Sequence, residues 1–139
     1  MTFRVRRAFT LIELMVVIII IAILAALVVP RVVGRASQAK VAAAKADIST
    51  FHTLLEHFRL DNDRYPTTQE GLQALRTAPS DAKNWKGPYM DHDLHPDPWG
   101  YDYHYEYPGP NGKDSFTLLS YGSDGAPGGD GDAADILDE

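Results

Sequence analysis

The sequence predicts an α+β fold in which a long N-terminal helix packs on a small antiparallel β-sheet head, and three patterns carry that expectation. From Phe9 to Pro30, FTLIELMVVIIIIAILAALVVP is almost wholly apolar. Beyond it, Val41, Ala44, Ile48, Phe51, Leu55 and Phe58 recur at helical spacings. Near the C-terminus, two strand-like runs flank a Pro-Gly-Pro-Asn-Gly turn.

The apolar run comes first. Its roughly 22 residues would reach about 33 Å as a helix, the thickness of a bilayer core. Only Thr10 and Glu13 in it are strongly polar. Arg4, Arg6 and Arg7 precede it, so the positive-inside bias places the N-terminus in the cytoplasm and the bulk of the chain across the membrane. A carboxylate such as Glu13 inside hydrocarbon demands a partner. A secretory signal peptide is the plainer alternative, but the run exceeds the usual apolar region of one, and Pro30-Arg31-Val32-Val33 is no small-residue cleavage site.

Pro30 removes one helical hydrogen bond and is expected to kink the helix. Periodicity then resumes, with Arg35, Lys40, Lys45, Asp47 and Glu56 off the apolar stripe. A helix from Phe9 to about Leu60 would run roughly 78 Å. Asp61-Asn62-Asp63-Arg64-Tyr65-Pro66 ends it with turn formers and proline. Thr67 and Glu70 have the spacing of a capping box, which predicts a second helix of about two turns before Pro79.

Residues 79–100 hold four prolines and no sustained period, a loop-rich connection. Trp85, Tyr89 and Trp99 read as aromatic plugs over a small core rather than a binding box. His92 and His95, among Asp91, Asp93 and Asp97, read as a solvated loop or, less readily without a third His or Cys, as transition-metal ligands. Tyr101 to Tyr107 alternates strictly, with four tyrosines on one face and Asp102, His104 and Glu106 on the other. Phe116 to Tyr121 gives a second strand, and a short piece near Gly87 to Met90 is expected to add a third.

The last stretch, Asp124 to Glu139, carries Asp124, Asp130, Asp132, Asp135, Asp138 and Glu139, no basic residue, and four glycines. Hard cations such as calcium take their oxygens from carboxylates and backbone carbonyls, and glycines let a chain wrap around an ion. A disordered acidic tail accounts for the composition equally well. The pattern is not an EF-hand.

Composition narrows the classes. The chain has 139 residues, no cysteine and a net charge of −6. About 109 residues follow Pro30, enough for one small domain that needs some staple other than a disulfide. Loss of Arg4, Arg6 and Arg7 would leave 10 basic residues against 19 acidic ones, a balance of −9. Such a surface argues against nucleic acid as partner. No G-x-S-x-G, H-E-x-x-H, Cys nucleophile or phosphate-binding loop is present, and Asp97 with Glu106 is only a loose carboxylate pair, so the chain does not read as an enzyme.

Arg6-Arg7-Ala8-Phe9-Thr10-Leu11-Ile12-Glu13 resembles the processing signal of type IV pilins and type II secretion pseudopilins. The resemblance implies cleavage between Ala8 and Phe9 by prepilin peptidase and N-methylation of Phe9. It also implies an assembly role for Glu13 against a neighbour's N-terminal amine. The family usually has Gly where this chain has Ala8. Gly87-Pro88-Tyr89, Asp97-Pro98-Trp99-Gly100, the run Pro66 to Leu75 and the run Tyr121 to Gly129 resemble the major pseudopilin family of type II secretion systems.

That likeness implies a pilin-like fold divided into a leader, 1–8, a transmembrane and assembly helix, 9–30, and a periplasmic head, 31–139. It implies a single-pass protein of the bacterial inner membrane, stacked into a homo-oligomeric pseudopilus that drives protein export. Its partners would be minor pseudopilins, the inner-membrane secretion platform and prepilin peptidase. It further implies one calcium ion at Asp124, with the carbonyls of Tyr121 and Gly129. Where the family often has a second ligand Asp this chain has Gly131, and Asp132 or Asp130 is expected to replace it. A type IV pilin serving adhesion, motility or DNA uptake is the alternative. The acidic loop, the missing cysteines and the Asp97–Gly100 region favour the secretion role.

Overall fold

A computed structural model of the chain describes residues 9–138, with backbone alone for residues 28–33. One helix, α1, runs Leu11–Asn62, and three short strands follow: β1 His104–Glu106, β2 Thr117–Ser120 and β3 Ile136–Leu137. The chain divides into two compact units, Met1–Ala36 and Ser37–Glu139.

In the second unit the apolar stripe of α1 is the floor of the core. Ala44, Ile48, Phe51, Leu55 and Phe58 are all buried, and Val41 packs beside them. Spacings of three and four keep these side chains on one face, while Lys40, Lys45 and Glu56 fall elsewhere. The helix stops where Asp63 turns left-handed at φ 56°, its N–H donating to Arg59 O at 2.8 Å.

The sheet is antiparallel in the order β1-β2-β3. Tyr105 pairs with Leu118, and Ser120 with Ile136. The alternation of the tyrosine run holds at its centre: Tyr103 and Tyr105 are buried, and Tyr101 is exposed. Their hydroxyls dock the sheet on the helical side, Tyr103 donating to Asp47 Oδ2 at 2.7 Å and Tyr105 to Pro66 O at 2.8 Å. Trp85, Tyr89 and Trp99 pack against the core as plugs, and Trp85 Nε1 donates to Ala74 O at 2.9 Å.

Two elements differ from expectation. No strand forms at Gly87–Met90, because the N–H groups of Tyr89 and Met90 are both taken by Leu75 O, at 2.8 and 3.3 Å. The third strand is instead Ile136–Leu137, reached by the end of the chain. The expected second helix is a turn followed by the 3-10 turn Leu72–Leu75. The capping box is made, with Thr67 N donating to Glu70 Oε2 at 2.6 Å and Glu70 N to Thr67 Oγ1 at 3.3 Å. Gly71, at φ 57° and ψ −164°, breaks the helical path directly after it.

Asp97 is the buried carboxylate of the head. It accepts from Trp99 N at 3.0 Å, Tyr101 N at 2.9 Å and Ser120 Oγ at 2.5 Å, which ties the proline-rich connection to β2. Arg64 grips Glu70 through two bonds, at 2.7 and 2.9 Å. The Arg64 guanidinium holds the Glu70 carboxyl well below the usual carboxylate range, against the opposing effect of burial.

Two measurements check this packing. Phe58 is fully buried, so Phe58→Ala is expected to destabilise the head by about 3–5 kcal/mol in chemical denaturation. Glu70 has a lowered folded-state pKa, so its contribution is present above the ordinary value of 4.5 and is lost as pH falls through the folded value. Glu70→Gln is therefore expected to cost about 2 kcal/mol at pH 7. The gap from wild type should narrow steadily below pH 4.5.

Candidate functional site

Two regions carry the expected functional residues. At the N-terminal end, Ala8 lies outside the described residues, and Phe9 is exposed. Thr10 precedes the first residue of α1, and its Oγ1 accepts from Glu13 N at 3.2 Å. Thr10 is thus the N-cap, and Glu13 sits in the first turn, where a carboxylate complements the positive end of the helix dipole. The spacing Thr-x-x-Glu is the same capping signature as Thr67 to Glu70 and was readable from the sequence, though only the hydroxyl half is made here. Glu13 remains exposed.

From Leu11 to Leu27 every large apolar side chain is exposed, from 46% at Val17 to 78% at Leu11. A continuous apolar surface of this size requires a covering of lipid or protein. Among the described residues no helix is long and apolar enough to cross a membrane. The run continues past Leu27 into residues 28–33, whose side chains lie outside the description.

The second region is the acidic loop. Two 3-10 turns, Gly122–Asp124 and Gly131–Ala133, pack on each other. Asp124 Oδ1 accepts from Ala126 N at 3.1 Å, and Asp130 Oδ1 from Gly131 N at 2.8 Å. Asp132 turns away to α1, accepting from Ser37 Oγ. Asp135 holds Gly128 N with both oxygens at 3.0 Å. Gly129 has φ 83°, and a Cβ there would lie 2.1 Å from Ala133 O, so only glycine lets the loop close at that point.

Among the described residues no group of three or more His, Cys, Asp or Glu side chains gathers closely enough to hold a metal ion. Asp124, Asp130 and Asp132 are therefore on one loop but not in one cluster. The donors that are present, carboxylate and carbonyl oxygens, are those a hard cation takes.

His92 and His95 are both exposed; the latter lies 3.0 Å through Nδ1 from Pro96 O and packs near Phe51 and Tyr103. The pair Asp97 and Glu106 does not form an acid–base couple, since every oxygen of Asp97 is engaged by a structural donor. Sequence reasoning missed Ser37 and His52, which hold the C-terminal segment through Asp132 and Asp138. Contacts across 95 and 86 residues leave no local pattern to find.

Comparison with known proteins agrees at both ends. Residues 31–139 match the family described as Type II secretion system (T2SS), protein G, and residues 3–29 match the prokaryotic N-terminal methylation motif. The chain is 48% identical to the type II secretion system core protein G of Pseudomonas aeruginosa, over 96% of this chain and 94% of that one. It is 44% identical to the core protein G of Vibrio cholerae, over 96% and 91%. The crystal structure of the major pseudopilin from the type 2 secretion system of enterohaemorrhagic Escherichia coli superposes with a TM-score of 0.63 and 34% identity. It covers 79% of this chain and 95% of that one. The motif makes the chain a membrane-anchored subunit. With its capped apolar helix, its pilin-like α+β head and these relatives, the chain belongs to the type II secretion system protein G family, the major pseudopilins, and is a structural subunit rather than an enzyme.

Proposed function

We propose that this chain is the repeating subunit of a periplasmic pseudopilus whose growth drives protein export. The observation that carries the reading is the pairing, in one chain, of the methylation motif over residues 3–29 with the protein G match over residues 31–139. Residues 1–8 are a leader removed between Ala8 and Phe9 by prepilin peptidase, with N-methylation of Phe9. Residues 9–30 are the transmembrane and assembly helix, and residues 31–139 are the head. The N-terminus faces the cytoplasm and the head faces the periplasm. Minor pseudopilins and the inner-membrane secretion platform are the partners. Energy for export comes from elsewhere, because the chain has no phosphate-binding loop.

Glu13 is the contact that gives assembly a direction. Between apolar helices, packing alone discriminates poorly, whereas a carboxylate in hydrocarbon strongly favours a cation opposite it. Cleavage before Phe9 creates an amine, and Glu13 of one copy pairs with the Phe9 amine of the next. Its exposure in the single chain leaves it available for that contact. Glu13→Ala is expected to leave cleavage and head stability unchanged and to reduce sheared filaments at least tenfold. Filament yield equal to wild type would refute the pairing.

A calcium ion in the C-terminal loop takes the place of a disulfide in this cysteine-free head. Asp124 supplies one carboxylate, the carbonyls of Tyr121 and Gly129 supply further oxygens, and Asp130 or Asp132 supplies a second carboxylate. Asp132 already accepts from Ser37, which favours Asp130. When bound, the ion would join the two packed turns and stabilise the folded head by mass action. In thermal melting of the full chain in detergent micelles, calcium is expected to raise the melting temperature by several degrees at saturation. Asp124→Ala should abolish the rise. A wild-type melting curve indifferent to calcium and to excess chelator would refute the ion.

A further inference from the structure

Asp97 divides its two carboxylate oxygens between two routes to the acidic loop. Oδ2 accepts from Ser120 Oγ at 2.5 Å, and Ser120 Oγ in turn accepts at 3.2 Å from the N–H of Gly122, the first residue of the turn Gly122–Asp124. Oδ1 accepts from Tyr101 N at 2.9 Å, while Tyr101 O accepts from Asp97 N at 2.7 Å. The Tyr101 ring then lies against Gly125, which ends the same turn: a Cβ there would meet ring carbons at 2.6 and 2.7 Å. Both ends of the turn that carries Asp124 are thus set from one buried carboxylate.

Charge matters to the first route. A hydroxyl that donates to a carboxylate is polarised and becomes a stronger acceptor, so the charge of Asp97 is felt at Gly122 N. Asp97 and Ser120 are both buried, where such a relay is electrostatically strong. Gly122 passes the constraint on, because a Cβ there would lie 2.8 Å from Asp132 O and 2.9 Å from Ala134 O. The second turn, Gly131–Ala133, is therefore seated on the first at the residue that Ser120 holds.

We propose that Asp97 is the positioning residue of the cation site in the acidic loop, acting through Ser120 and Tyr101. It touches no ion itself. The proposal rests on the calcium reading and adds to it the source of the loop's order: Asp124 and the Tyr121 carbonyl are held in place by contacts made without an ion, so binding need not order the turn.

Isothermal calorimetry of calcium binding to the full chain in detergent micelles tests it, together with hydrogen exchange of the calcium-free chain. Ser120→Ala removes the first route and Tyr101→Leu the second, while Asp97→Asn keeps an acceptor for the two N–H groups and removes the charge. Each is expected to weaken calcium binding at least about tenfold. Amide exchange at Gly122–Gly125 should quicken in each, with the β1–β2 pairing unaffected. Tyr101→Leu changes a ring that is 43% exposed, which keeps the test open should a buried variant fail to fold. Glu70→Gln, whose contacts are with Arg64 and Thr67, loosens the head elsewhere and is expected to bind calcium as wild type does. Wild-type affinity in both Ser120→Ala and Tyr101→Leu would overturn the proposal and leave the calcium reading standing. Equal weakening in Glu70→Gln would also overturn it, by reducing Asp97 to general stability. A wild-type chain that binds no calcium would overturn the calcium reading and the proposal with it.

Discussion

Burial of one stripe on α1 is the constraint on which the head depends. A small head without cysteine has no covalent staple, so its stability rests on how much apolar area a single helix face can cover. Phe51, Leu55 and Phe58 meet that need because each brings a large side chain to the same face, and the aromatic plugs and the sheet close over them. The polar edges of those aromatics then find partners on the helix and its exit turn: Tyr103 on Asp47, Tyr105 on Pro66, and Tyr89 on Asp61. Packing and orientation come from the same residues, which is why a three-stranded sheet this short has one register.

The same economy explains the charges that matter. Asp97 is buried with no cation beside it among the described residues, yet its oxygens are met by two backbone N–H groups and a hydroxyl, which makes burial tolerable and locks the proline-rich connection to β2. The Arg64–Glu70 grip does similar work at the turn after α1, where Gly71 prevents a helix from doing it. Neither arrangement leaves a reactive group free, in keeping with a protein that acts by assembling.

Function is divided between two surfaces of different physics. The N-terminal helix exposes an apolar face with one carboxylate, which requires a covering of lipid or protein. The C-terminal loop is acidic and glycine-rich, the place proposed above for a hard cation, and its last residues are tied to the helix by Ser37 and His52. Methylation motif and protein G match fall on these two parts in turn.

Wherever a property depends on neighbours in the chain, the residues alone determined it. The α1 stripe, its end near Asp63, the capping box at Thr67 and Glu70, and the tyrosine alternation are all local periodicities or local hydrogen bonds, and they are found where the pattern puts them. The processing signal is legible for the same reason, being read as a contiguous stretch. Tertiary structure decided which segment completes the sheet, because Leu75 O claims the N–H groups of Tyr89 and Met90 and leaves the edge of β2 to Ile136–Leu137. It also decided the fate of individual carboxylates in the acidic run. Composition makes Asp132, Asp135 and Asp138 equivalent, but Ser37, Gly128 and His52 give each a different partner, and Ser37 and His52 lie 95 and 86 residues away, too far for any local rule to select them.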